Sequence, residues 1–226
     1  MDAAGVHLAH PARMRTALPA LLCLLTAAAR ADEPQGDWEK KNWQCMRPER
    51  GCHIQKCCEQ SFGVWMREKA GSDVREVRAV GEIDATPEAV YAVITDFEHY
   101  AAFMPYLEDA KVIRRTDAEV VTWAIMNAPM VSRRDWVVAV KLDPAKKAGT
   151  TWTVSTEGPA ESDRAVRLKV NDGSWTLEPL HGGKRTRATY YLFTNPGGSI
   201  PSWIANKANT MALPDLFEAI RKRAAK

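Results

Sequence analysis

Residues 195–226 read NPGGSIPSWIANKANTMALPDLFEAIRKRAAK, and this ending decides the fold. Gly197 and Gly198 allow a sharp turn off whatever precedes them. Ser199 or Ser202 is placed to cap a helix, and Pro201 suits its first turn. Ile200, Trp203, Ile204, Ala208, Met211, Leu213, Leu216, Phe217 and Ile220 then recur at helical spacing and form one apolar stripe. Pro214 inside that stripe predicts a kink or two helices in series. The closing RKRAAK places positive charge where a helix C-terminus favours it. Such a helix must bury its stripe on something, and the preceding chain says what.

LEDAKVIRR, EVVTWAIMN, RRDWVVAVKLD, TTWTVSTE, GSWTLEPL and TRATYYLFT are short, rich in β-branched and aromatic residues, and bounded by Gly, Pro, Asp or Asn. LDPAKKAGT and PLHGGKRT between them carry the turn chemistry of antiparallel hairpins. Upstream, VREVRAVGEID alternates at period two and reads as a half-buried strand. ATPEAVYAVITDF follows, with Thr86 as N-cap, Pro87 at the first helical position, and Ala89, Val90, Val93 and Ile94 on one face. HYAAFMPYL predicts a second short helix ending at Met104, since Pro105 biases its predecessor away from helix. About seven strands with segregated helices argue an α+β class rather than a parallel βαβ sheet. The concave face of a curved antiparallel sheet is then the surface available to the closing helix.

The N-terminus differs in kind. Arg13 and Arg15 precede the short apolar run TALPALLCLLTAAA, and Ala29-Arg30-Ala31 is a small-x-small cleavage pattern. The run is short for a bilayer span, so residues 1–31 are expected to be a cleaved export signal and the protein periplasmic or secreted. Residues 32–63 are polar and Cys-clustered, an expected extension ahead of a domain at 64–226. Cys45, Cys52, Cys57 and Cys58 fall within fourteen residues of sequence. In an oxidising compartment they are expected to form two disulfides, with three connectivities open. The C-x6-C-x4-C-C spacing fits a zinc module poorly, so no metal and no cofactor are expected. The whole chain carries +3, and the export segment holds Arg13, Arg15 and Arg30 against Asp2, so the remainder is close to neutral. No basic run of five or more favours nucleic acid.

Taken together, GEIDATPEAVYAVITDFEHYAAFMPYLEDAKVI (81–113), APMVSRRDWV (128–137), GSWTLEP (173–179) and NPGGSIPSWIANKA (195–208) resemble the START domain in its bacterial form. START, the StAR-related lipid-transfer domain, belongs to the Bet v 1-like or SRPBCC helix-grip superfamily. The resemblance covers about residues 64–224, in order and spacing. It implies a helix-grip fold in which a curved antiparallel sheet wraps a long C-terminal helix, with a ligand tunnel between them. Members bind sterols, phospholipids, sphingolipids or other apolar molecules, and many carry them between membranes. Related helix-grip proteins cyclise or aromatise polyketides. Trp38 matches the family's tryptophan near the domain start, which makes the cysteine cluster an insertion.

A tunnel of this kind is apolar with a few placed polar groups. Its candidate lining here is Trp123, Ile125, Arg134, Trp136, Val138, Trp152, Val154, Tyr190, Leu192, Trp203 and Met211. Arg134 matches a family arginine that pairs with an acidic residue on the preceding strand. In this chain Thr122 or Trp123 holds that acidic position. Asp135, backbone, a ligand head group and solvent all remain open to the guanidinium. Asn206 and Asn209 sit on the closing helix, where they would orient a polar ligand end or face solvent. No Ser/His/Asp or Cys/His motif stands out, and Glu108 and Asp109 point opposite ways on a strand. The expectation is a monomeric carrier or sensor of one lipid, sterol or similar apolar molecule, with transient membrane contact, and not an enzyme. Two alternatives stand beside it, a polyketide cyclase/aromatase-like enzyme and a disulfide-stapled protein-interaction module. Gly197 and Gly198 are the expected hinge of a gate carrying residues 200–211.

Overall fold

The computed structural model describes residues 44–45, 62–129, 131–161 and 163–225. The expected export signal at 1–31 lies outside the described residues, as do Cys52, Cys57 and Cys58. Of Cys45 only the backbone is described.

The strands are β1 Gln44–Cys45, β2 Phe62–Lys69, β3 Ser72–Ile83, β4 Leu107–Arg115, β5 Glu119–Met126, β6 Arg134–Leu142, β7 Gly149–Val154, β8 Val166–Arg167, β9 Val170–Leu180 and β10 Arg185–Asn195. They form one sheet in the order β1-β2-β3-β10-β9-β7-β6-β5-β4, antiparallel throughout except for β8, which pairs in parallel with β6. The helices are α1 Pro87–Ile94, α2 Tyr100–Phe103, α3 Ser202–Met211 and α4 Leu213–Ala224, with a 3-10 turn at Phe97–His99.

The α+β helix-grip expectation holds, with more strands than seven. The opening segment is a hairpin: β2 folds back on β3 through a turn at Gly71, whose φ is +76°. Its strand begins at Phe62, two residues ahead of the expected domain start. Runs with both faces buried, such as Phe62–Met66, hide the alternation that reveals a strand.

Local chemistry explains the helix ends. Thr86 caps α1 by accepting a hydrogen bond from the Ala89 N–H at 3.3 Å, with Pro87 opening the first turn. Met104 ends α2 in extended geometry ahead of Pro105. At α3 the capping expectation fails: Pro201 occupies the N-cap, no side chain caps the helix, and Ser202 is already its first residue. Pro214 gives two helices in series, because α3 stops at Met211 and α4 starts afresh at Leu213.

α3 lies against β3, and α4 against α1 and β3. The central knob of the core is Phe217 on α4, fully buried, with its ring 5.0 Å from Phe62 and 5.5 Å from Trp175. Gly81 on β3 makes room for it: a Cβ there would lie 2.6 Å from the Phe217 ring. Gly173 on β9 does the same for Trp152, whose indole would be 2.2 Å from a Cβ. The sheet thus stays smooth where aromatic side chains must lie flat on it.

Candidate functional site: a neutral cavity between sheet and helices

Strand register decides which side chains face the helices. Val138 pairs with Thr122, Trp136 with Ala124, Val140 with Trp152, Trp152 with Gly173, and Trp175 with Tyr190. Directly paired residues share a face, so all of these look the same way. That face and the helices enclose a cavity of about 250 Å³. α3, α4 and the residue between them supply Ala208, Asn209, Ala212, Leu213 and Leu216. Ile94, Phe97, Tyr100 and Met104 supply the wall opposite.

Of the expected lining, Trp136, Val138, Trp152, Tyr190 and Leu192 border this cavity. Trp123 also reaches its edge, yet its register places the side chain with Ile125 on the other face of β5. There the Trp123 Nε1 donates to Asp135 Oδ2 at 2.9 Å, and the Lys111 ammonium sits 5.5 Å from the ring centroid. Ile125 is buried on that outer face and does not border the cavity. Val154 shares the inner face through its pairing with Val138 but stands beyond the lining, as does Met211. Trp203 departs furthest: 64% exposed, it edges a separate groove with Lys69, Arg75, Asn206 and Lys207.

Arg134 is 3% exposed and outside the cavity lining. Its Nε donates to the Pro196 carbonyl at 2.8 Å and Nη2 to the Gly197 carbonyl at 3.3 Å. Nη1 donates to both the carbonyl and the hydroxyl of Ser132 at 2.5 Å. The guanidinium therefore holds the loop leading into α3, where Gly197 and Gly198 adopt φ of +63° and +70°. Burial pushes its pKa below the ordinary arginine value. Asp135, the neighbour in sequence, points the other way and receives Arg167 through two bonds, Nε to Oδ1 at 3.0 Å and Nη2 to Oδ2 at 2.7 Å. Burial works to raise the Asp135 pKa, but the Arg167 and Trp123 donors outweigh it and hold the carboxyl below its usual range.

The asparagines of α3 divide the work. Asn206 ties α3 to β3, its Oδ1 accepting from the Arg75 N–H at 2.8 Å. Asn209 borders the cavity and donates to the Thr194 carbonyl at 3.1 Å.

No Asp, Glu, Lys, Arg or His borders the cavity among the described residues. Its polar groups are neutral: the hydroxyls of Tyr100, Thr122, Thr150, Tyr190 and Thr194, the amides of Asn171 and Asn209, and indole N–H groups. Several are committed to protein. Tyr100 donates to the Ile94 carbonyl at 2.5 Å, Thr194 to the Val170 carbonyl at 2.9 Å, and Trp152 Nε1 to Asn171 Oδ1 at 3.3 Å. Tyr190 stacks between Trp152 and Trp175, with centroids at 5.6 and 4.7 Å. Among the described residues nothing hydrogen-bonds its hydroxyl, and burial drives that hydroxyl well above the ordinary tyrosine pKa. Sequence reasoning missed Trp175, Tyr100 and Thr122. The pairing of β9 with β10 across the turn at His181–Gly183 would have placed Trp175 beside Tyr190. Nothing local marked Tyr100 or Thr122. Among the described residues no group of three or more metal-ligating side chains occurs.

An antiparallel sheet gripping a C-terminal helix pair over a partly open, neutral cavity defines the helix-grip class. Residues 83–221 match the family described as polyketide cyclase / dehydrase and lipid transport, and the chain belongs to it. Among curated proteins, an uncharacterised protein of Pseudomonas aeruginosa is 27% identical over 177 residues, covering 74% of this chain and 84% of that one. Bovine phosphatidylcholine transfer protein is 24% identical over 185 residues, covering 80% and 83%. Among solved structures, a STAR-related lipid transfer protein from Xanthomonas axonopodis superposes with a TM-score of 0.68 at 25% identity, over 81% of this chain and 99% of that one. The Zhui aromatase/cyclase of a Streptomyces shares the fold at a TM-score of 0.50 and 17% identity, over 66% and 90%. The START resemblance read from the sequence is thereby borne out.

Proposed function

We propose that the protein binds one hydrophobic molecule between the concave sheet face and α3–α4, and carries or presents it without transforming it. The observation that carries this reading is the cavity of about 250 Å³ with apolar and neutral polar walls. The lipid-transfer proteins it resembles support it. Organic extraction of the purified full chain, followed by mass spectrometry, tests it. A co-purifying lipid at one per chain is the expected result, and an empty protein that also takes nothing from lipid vesicles would overturn it.

The shared fold of the aromatase/cyclase keeps a second reading in view. General acid–base chemistry needs a group titrating near the operating pH. Among the described residues the ionisable groups bordering this cavity are Tyr100 and Tyr190, and burial drives both upward, away from that range. This favours a carrier.

The proposal extends to where the ligand is collected. Among the described residues no helix is long and apolar enough to cross a membrane. Trp203 is exposed on the first turn of α3, with Lys207 one turn on and Lys69 and Arg75 across the groove. Glu68 and Asp73 line the same groove, so its charge is mixed, and the exposed ring rather than net charge is what suits transient docking on a bilayer surface. We further propose that the chain is exported and acts as a monomer. Support for export is the apolar run after Arg13 and Arg15 and its Ala29-Arg30-Ala31 end. An intact mass beginning at Asp32 is the expected outcome in a bacterial host.

A further inference from the structure

We infer that the ligand is uncharged, carries one compact hydrophobic body, and presents a single polar end, such as a hydroxyl, carbonyl or ester, to the Tyr190 hydroxyl. This rests on the ligand-binding reading above and narrows it. Phospholipids with ionised head groups buried inside are excluded by it, although phosphatidylcholine transfer proteins are among the relatives.

The charge argument is direct. An ionised phosphate or ammonium taken from water into an apolar site needs an opposite charge and hydrogen bonds to compensate. The cavity wall offers no such charge among the described residues. The nearby buried ions are spent elsewhere. Arg134 is fully engaged with the carbonyls of Ser132, Pro196 and Gly197, and Asp135 with Arg167 on the outer face. Glu76 is likewise taken by Arg67, Lys69 and the Tyr191 hydroxyl.

Size agrees with charge. At about 250 Å³ the cavity falls just below the roughly 300–1,000 Å³ range of pockets that enclose drug-sized ligands. A single chain or a compact ring system fits largely between these walls, whereas two acyl chains with a zwitterionic head group would extend through the open side.

The polar handle is the Tyr190 hydroxyl. It lies between the Trp152 and Trp175 rings and borders the cavity. A half-buried hydroxyl that opens onto an apolar cavity can hydrogen-bond with a ligand oxygen there. Thr122, a buried hydroxyl on β5, borders the same space.

The experiment compares three probes with the full chain: 1-dodecanol, dodecane and phosphatidylcholine vesicles. Binding is read by quenching of the lining tryptophans and by native mass spectrometry. Dodecanol is expected to bind one per chain, and phosphatidylcholine to stay in its vesicles. Tyr190→Phe, which removes only the hydroxyl, is expected to weaken dodecanol about five- to tenfold and leave dodecane unchanged. Thr122→Val serves as a second variant with the same expected pattern at smaller size. Stoichiometric extraction of phosphatidylcholine would overturn this inference while the lipid-binding reading stands. Equal weakening of dodecanol and dodecane by Tyr190→Phe would overturn the assigned handle. Failure of all three probes while another lipid co-purifies would overturn this inference alone; failure with an empty purified protein would remove the ligand-binding reading as well.

Discussion

Arg134 shows what a buried cation does when the acidic partner is missing. Its neighbours in space are carbonyl dipoles of the turn that launches α3, so the charge stabilises a loop conformation rather than a ligand. Removing it leaves those carbonyls under-supplied with donors in a desolvated place, which costs more than the bonds themselves contribute. Arg134→Ala is expected to destabilise by about 2–4 kcal/mol, seen as a lowered midpoint in urea. Lysine recovers part of this, because one ammonium cannot reproduce the planar fork that spans two loops. Gly81 makes a companion case. A methyl there meets the Phe217 ring at 2.6 Å, so Gly81→Ala is expected to cost about 1–3 kcal/mol through overpacking of the α4–β3 contact. The same urea titration reads it.

At the scale of elements, two attachments hold segments that the sheet ladder alone would not. The first is the Asp135–Arg167 pair, which reinforces the short parallel pairing of β8 with β6 from the outer face of the sheet. The Asp135 carboxyl is held below its unfolded value, so its contribution to stability is complete above the unfolded pKa of about 4 and fades as pH falls from there through the folded pKa. Asp135→Asn should therefore lower the melting temperature by a constant amount between pH 5 and 8, with the gap from wild type narrowing below about pH 4. A gap that widened in acid would contradict the pairing. The second attachment is α3 itself, tied to β3 through Asn206 yet offering Trp203 to solvent. Because Trp203 is exposed, Trp203→Ala should leave the melting temperature within about 1 °C while reducing co-sedimentation with anionic vesicles.

For the whole molecule, the fold was legible because each level of the sequence agreed. Period-two strands, the capped α1 and the Pro214-broken stripe all demand one sheet gripping one helix pair. Cavity membership was less legible, and β5 and β6 show why. Pairing there joins residues whose numbers share parity, so Thr122 and Ala124 face the same way as Trp136 and Val138, and Trp123 with Ile125 faces away. Choosing the largest apolar side chains mixed the two faces. Trp203 eluded sequence reasoning, and Arg134 kept several open partners with backbone among them, for another reason: their settings are made by tertiary contacts of α3 and its entry loop, and no local pattern encodes those. The same view of the whole explains the void. Apolar cavities cost on the order of 24 cal/mol per Å³ in core truncations, so a space of about 250 Å³ is a standing loss of several kcal/mol unless something occupies it. A chain selected for stability alone would fill it. Ala208 on α3 borders that space, and Ala208→Phe should fill part of it. The melting temperature is expected to hold or rise, and uptake of 1-dodecanol to fall at least tenfold. Unaltered uptake would mean that ligand binds elsewhere. A lowered melting temperature would mean that the helix and sheet already meet at Ala208.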